Sequence, residues 1–155
     1  MKSLKRWLLI LLVFLLWGCA SAPEEKNLNL MDTMNYIDEN YINTFTTQMN
    51  DSDFYTMFSL DPSQISQQVY YQAFLDVKCD EIAMIRVTDE TLIPQVESVL
   101  QGRLQEVVSE FNGYIDDQYS IASNGIVFSR GTYVFLIIHE NATQIQDYLI
   151  HELEN

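Results

Sequence analysis

Cys79 lies in Val77-Lys78-Cys79-Asp80, a thiol with a cation before it and an acid after it. Thiolate chemistry needs a lowered pKa, which Lys78 would favour and Asp80 would oppose. A nucleophile also needs a base, and no recognisable motif brings His139 or His151 to Cys79, so the residue reads as an ordinary turn thiol. The two histidines follow no metal-ligand spacing, and each is expected at the surface or partly packed, with no metal bound. Asp80-Glu81, Asp89-Glu90 and Asp116-Asp117 have the composition of acid–base pairs. Neighbours in a strand point to opposite faces, however, and such acids commonly serve turns and caps. Arg86 and Arg130 could each anchor an anionic ligand, although a salt bridge to one of the 22 acids is the plainer use. Glycine-rich phosphate cradles, a nucleophile elbow and a Cys-x-x-Cys pair are all missing from a chain with five glycines. No catalytic residue and no cofactor is therefore expected, and the chain does not read as an enzyme.

The second cysteine offers different chemistry. Lys2, Lys5 and Arg6 precede an apolar run of 11 residues, Trp7 to Trp17, which ends at Gly18-Cys19 and passes into the polar Ala20-Ser21-Ala22-Pro23. A charged start, a short apolar stretch and small residues are the parts of a cleaved export signal. A permanent membrane helix needs about 20 apolar residues. Leu16-Trp17-Gly18-Cys19 resembles the lipobox of bacterial lipoproteins, in which a diacylglycerol is joined to the cysteine thiol and signal peptidase II cuts between the positions of Gly18 and Cys19. Trp17 departs from that pattern, where a small or β-branched residue is usual. The expectation is a lipoprotein signal peptide at residues 1–18, a lipidated Cys19 with a flexible tether to residue 29, and one domain over 30–155. Each buried methylene of an acyl chain contributes about 0.8 kcal/mol, so several chains on one residue hold a domain at a bilayer. Ordinary secretion with a cut near Ala20 or Ala22 is the alternative, and it also exports the domain.

Loss of residues 1–18 would leave 137 residues, enough for one domain with a core. Lys2, Lys5 and Arg6 leave with the signal, so 5 of the 8 basic residues face 22 acidic ones and the net charge moves from −14 to −17. Such a surface repels nucleic acid and anionic lipid head groups, so membrane contact is expected through the N-terminal lipid alone. The acids are scattered, as on a solvated face, and none is spaced as a calcium loop. With Cys19 acylated, Cys79 has no intramolecular disulfide partner.

Positioning these residues falls to a small set of elements. Leu30, Met34, Ile37, Tyr41, Phe45 and Met49 recur at steps of three and four, which predicts one helix over roughly 30–49. Phe54 to Leu60 reads as a short helical turn stopped by Asp61-Pro62. Val69 to Val77 and Ile82 to Val87 predict an antiparallel hairpin. A helix follows with Pro94 in its first turn, the stripe Val96, Val99, Leu100, Leu104, Val107, Val108 and Phe111, and the stop Asn112-Gly113. After a polar loop with Asp116 and Asp117, a second hairpin turns at Arg130-Gly131, and Asn141 with Gln144 resembles the capping box of a last helix. The fold class is α+β: a four-stranded antiparallel sheet from two β-hairpins with three helices, in the order α-ββα-ββα.

Tyr133, Phe135 and Ile137 alternate with Val134, Leu136 and Ile138, so the last strand is apolar on both faces. Either the helices cover both faces, or part of one is left for a partner, in which case Tyr70, Tyr71 and Tyr133 would supply the contact. The sequence does not choose between these.

Four segments carry a family resemblance: Met57-Phe58-Ser59-Leu60-Asp61-Pro62, Asp80-Glu81-Ile82-Ala83, Phe111-Asn112-Gly113-Tyr114 and Arg130-Gly131-Thr132-Tyr133-Val134. Together, over roughly residues 32–152, they resemble a family of small lipoproteins of Gram-positive Firmicutes defined by a domain of unknown function, DUF4358. The resemblance implies a lipid-anchored protein on the extracytoplasmic face of the cell membrane and no particular reaction. The expected role is a non-enzymatic accessory module that binds another envelope protein, with a small-ligand (solute) binding lipoprotein as the alternative reading.

Overall fold

The computed structural model describes residues 26–44 and 46–154. The signal segment, Gly18 and Cys19, the tether up to residue 25, and Phe45 lie outside the described residues. Five helices and five strands occur among the described residues: α1 (Leu30–Asn40), β1 (Thr46–Gln48), α2 (Asp51–Phe58), β2 (Ile65–Ala73), β3 (Glu81–Val87), α3 (Ile93–Phe111), α4 (Asp116–Ser123), β4 (Ile126–Arg130), β5 (Tyr133–Ile138) and α5 (Ala142–Glu154). They build one antiparallel sheet in the order β1-β2-β3-β5-β4. The α+β class and both hairpins stand. The count of four strands and three helices is corrected to five and five.

The long first helix is one source of that difference. Asn29 accepts hydrogen bonds from the backbone N–H groups of Met31 and Asp32 and starts α1, and Leu30, Met34 and Ile37 are buried on one stripe. The helix stops at Asn40, because Asn40 and Asn43 are weak helix formers and Thr46 and Thr47 are β-branched. The chain then pairs Thr46–Gln48 with Ala73–Tyr71 as an edge strand, and Asn50 caps α2 by accepting from the Asp53 N–H at 3.0 Å. Met49 packs with the α2 side of the core, where it does not extend the α1 stripe. The presumed polar loop at Asp116-Asp117 is α4, whose first turn places both acids at the positive end of the helix dipole.

Residue parity sorts the core. Val69, Ile82, Met84, Tyr133, Phe135 and Ile137 face α1 and α5. Tyr70, Ala83, Ile85, Val134, Leu136 and Ile138 face α2, α3 and α4. Every residue of β5 is buried, because helices lie on both sides of the sheet. Full burial of one such aliphatic or aromatic side chain contributes about 1.5–3 kcal/mol. The doubly apolar strand is thus covered within the chain. Tyr70 and Tyr133 are both 0% exposed and lie on opposite faces, so they cannot share a contact surface with the half-buried Tyr71, and that expectation is corrected. The Tyr133 hydroxyl instead accepts from the Leu28 N–H at 2.9 Å and donates to the Lys26 carbonyl at 3.4 Å. The entering chain is held there, at the end of the sheet where β3 finishes and β5 begins.

Candidate functional site

Polar and reactive side chains gather at the opposite end, around the β2–β3 connection of residues 74–80. Asp80 and Glu81 end that connection and, as strand neighbours must, point to opposite faces. On the α3 side Glu81 takes Arg103 in a two-pronged pair, Nε to Oε2 at 3.0 Å and Nη2 to Oε1 at 2.5 Å. Both side chains are largely buried, at 8% and 14% exposure. Arg103 also reaches Glu106 at 3.3 Å and Glu110 at 3.7 Å. Burial works against the guanidinium charge, but the hydrogen bonds and charge of Glu81 outweigh it and hold the Arg103 pKa above its ordinary range. The neighbouring Tyr70 is pushed upward by burial and then by the Glu81 charge, so its phenol stays protonated.

On the other face His139 Nε2 stands 3.6 Å from Asp80 Oδ1, with both side chains under a tenth exposed. His139 Nδ1 accepts from the Asn141 N–H at 3.0 Å. Burial depresses the His139 pKa against the attraction of Asp80, and burial raises the Asp80 carboxyl against His139 and Lys78. The pair is thus driven toward its uncharged forms. His139 was expected at the surface or partly packed; it is 3% exposed, because β5 carries it beneath the segment linking α1 to β1. The acid pair was expected in turns and caps, and here it is buried and paired.

Cys79 is a free, buried thiol on the α3–α4 side of the sheet, the side away from His139. Its N–H donates to Gln118 Oε1 at 3.1 Å and its Sγ–H to the Gln118 carbonyl at 3.3 Å. Burial, and then the Asp80 charge, push its pKa up to about 12. A cleft of about 240 Å³ runs between the connection and α3, lined by Leu75, Lys78, Cys79, Glu81, Arg103 and Phe111 among others. Among the described residues no three His, Cys, Asp or Glu side chains converge as a metal-ligand set.

The outer part of the connection is apolar and open. Phe74 is 68% exposed, Leu75 51% and Val77 46%; Tyr114, beyond the end of α3, is 64% exposed. Leu75 shares the cleft with Phe111, whose ring is 6.3 Å from that of Tyr114, so the two segments meet at this tip. Sequence reasoning assigned Val69 to Val77 to one strand and missed the tip; the signal available was three apolar residues continuing past the point where β3 could pair. Arg86 lies at the other end, donating to Asn27 Oδ1 and Thr132 Oγ1 and standing 5.2 Å from the Tyr133 ring centre. Arg130 pairs with Glu154, and His151 Nδ1 lies 3.7 Å from a Glu152 carboxylate oxygen. These residues do not join the polar cluster.

The fold and this cluster define a mixed α+β domain with a polar-based, apolar-tipped connection at one end of its sheet. The family Domain of unknown function (DUF4358) matches residues 34–139, most of the chain, and the protein belongs to that family. No curated protein and no solved structure matches the chain. No helix among the described residues is long and apolar enough to cross a membrane.

Proposed function

We propose that the chain is a lipid-anchored extracytoplasmic protein of the cell membrane, acylated at Cys19, that serves as a non-enzymatic accessory module by holding another envelope protein. The observation that carries this reading is the cluster of Phe74, Leu75, Val77 and Tyr114 in solvent on an acidic domain, each more exposed than the other open apolar residues, Tyr36, Met57 and Tyr119. Large apolar side chains exposed together mark contact sites. The chemistry nearby supports a binding role over a catalytic one. The Cys79 thiol is held protonated, the Arg103 guanidinium is committed to Glu81, and His139 lies across the sheet from Cys79. A solute-binding reading at the polar cluster would rest on the cleft, whose 240 Å³ falls below the roughly 300 Å³ at which small-molecule sites begin; the larger hollows, about 330 Å³ beside Gln67 and about 370 Å³ beside Glu97, lie away from that cluster.

Mass spectrometry of the protein purified from its own membranes tests the anchor: the N-terminal peptide is expected to begin at Cys19 and carry the mass of a diacylglyceryl group. An unprocessed Met1 terminus, or an unmodified Cys19, overturns it. Replacing Cys19 with Ala is expected to release the chain from sedimented membranes.

A further inference from the structure

We infer that the tip formed by Phe74, Leu75, Val77 and Tyr114 docks a cationic protein surface with an apolar centre; this rests on the anchored, partner-holding reading above. Two independent observations identify the occupant. The first is charge. Asp76 lies within the tip, Glu110 in the last turn of α3 lines the same cleft, and Asp116 and Asp117 open α4 just after Tyr114; all four are exposed. Lys78 is the one cation of the connection, and Arg103 below it is committed to Glu81. An apolar contact ringed by acids favours a partner that brings lysines or arginines to the rim, since complementary rims steer encounter and like charges repel. The same ring opposes a second copy of this chain. A two-fold contact is self-complementary and would set these acids against their own counterparts. Anionic lipid head groups meet the same repulsion.

The second observation is where the undescribed chain must leave. Lys26 and Asn27 are fastened to Tyr133 and Arg86, at the end of the sheet away from the tip. From Arg86 back to Asp80 along β3 is about 20 Å at about 3.3 Å per residue, and the tip extends beyond that. The seven residue steps from Cys19 to Lys26 span at most about 25 Å fully stretched. The reach of seven residues barely exceeds the length of β3, so a lipid on Cys19 is not placed to cover the tip itself.

The test places the photocrosslinker p-benzoylphenylalanine in the full chain in its own cells, at Phe74 and at Tyr114 on the tip, and at the exposed Gln101 and Ser66 elsewhere. The expected result is an adduct of one defined mass from both tip positions and from neither control. Its crosslinked peptide should be rich in Lys or Arg, and the yield should fall at least about 10-fold when Asp116→Lys and Asp117→Lys are combined, as reversal of rim charges requires. Adducts of lipid mass, or of twice the chain's own mass, overturn the inference in favour of a bilayer or a self-contact. A protein adduct from Gln101 or Ser66 alone overturns the tip while leaving the partner-holding function standing. A tip adduct indifferent to the charge reversal overturns the cationic partner. An absence of adducts at all four positions removes the inference and the partner-holding function with it, while the mass of the N-terminal peptide still decides the anchor.

Discussion

Replacing Arg103 with Met removes the one strong cation beneath the tip while keeping a long apolar stem. Glu81 loses both hydrogen bonds of the pair, and at 8% side-chain exposure it cannot recover them from bulk water. Arg103 is its only ion-pair partner among the described residues. Removing one member of a buried pair typically costs about 3–5 kcal/mol, because an uncompensated charge is left behind. The reverse change, Glu81→Gln, is expected to cost less, about 1–3 kcal/mol. In that variant Arg103 keeps Glu106 and Glu110, which lie 3.3 and 3.7 Å from its Nη1. The double variant with Met at 103 and Gln at 81 should cost less than the sum of the two single changes, by a coupling energy of about 0.5–3 kcal/mol, as expected for residues in direct contact. Urea unfolding followed by far-ultraviolet circular dichroism measures all three, and the pattern should persist at 0.5 M salt, since buried pairs are poorly screened. If Arg103→Met costs no more than Glu81→Gln, or if the two changes are additive, the pair is not the internal brace inferred from its geometry.

Three further outcomes are expected. Asp80→Asn should be at least as stable as the parent at pH 7 and should lose stability more steeply on acidification. The reason lies in the signs: His139, depressed below its ordinary 6.5, contributes in full above that value and loses its contribution as pH falls through its folded value. Asp80, raised above its ordinary 3.8, contributes oppositely, its contribution being present below 3.8 and lost as pH rises through its folded value; a shallower acid limb in the variant would contradict the assignment. Gly125→Ala puts a methyl 2.5 Å from Leu104 Cδ1 and 3.0 Å from the Ala122 carbonyl, and should destabilise by about 1–3 kcal/mol in thermal unfolding. Cys79, 2% exposed and with a pKa raised to about 12, should be alkylated by iodoacetamide at pH 8 at least about 100-fold more slowly in the native protein than in urea, as read by peptide mass spectrometry.

The elements legible in the sequence were those with a long periodic signal. The α3 stripe Val96, Leu100, Leu104, Val107 and Phe111 is buried as its spacing predicts, with Pro94 in the first turn and Gly113 at φ +76° beyond the end. The second hairpin turns at Gly131, φ +53°, and pairs Arg130 with Tyr133. What escaped had little periodicity to offer. Strand β1 is three residues long, and α4 buries only Gln118 and Ala122, too few to write a stripe. Asn141 stands just before α5 with its carbonyl accepting from the Ile145 N–H at 3.0 Å, and its amide also donates to the Tyr41 carbonyl at 2.8 Å, a tie from the end of α1 to the start of α5 that no local pattern announces. In the candidate site, strand geometry alone dictated that Asp80 and Glu81 diverge. Their partners arrive from α3 and from the end of β5, and nothing in the local sequence names a partner 22 residues away on another element.

Apolar exposure is greatest at the tip, above that of Tyr36, Met57 and Tyr119 elsewhere. Both faces of the sheet are sealed by helices, and the two acids at the base of the connection are matched, Glu81 with Arg103 and Asp80 with His139. Three bonds brace that base: the Ala73 N–H to the Asp80 carbonyl at 2.7 Å, the Lys78 N–H to the Leu75 carbonyl at 2.9 Å, and the Cys79 N–H to Gln118. Phe74, Leu75 and Val77 are therefore displayed on a hydrogen-bonded frame, and α4, which had no apolar stripe to announce it, holds that frame in place through Gln118. A frame ordered before contact spares a partner the entropy of fixing it, which for each mobile side chain at an interface amounts to about 0.5–1.5 kcal/mol. If these three residues were merely left over from folding, loosening the base should change nothing but stability. If they are a docking tip, Gln118→Ala should also weaken capture through Phe74 and Tyr114 under conditions where the sheet remains fully folded.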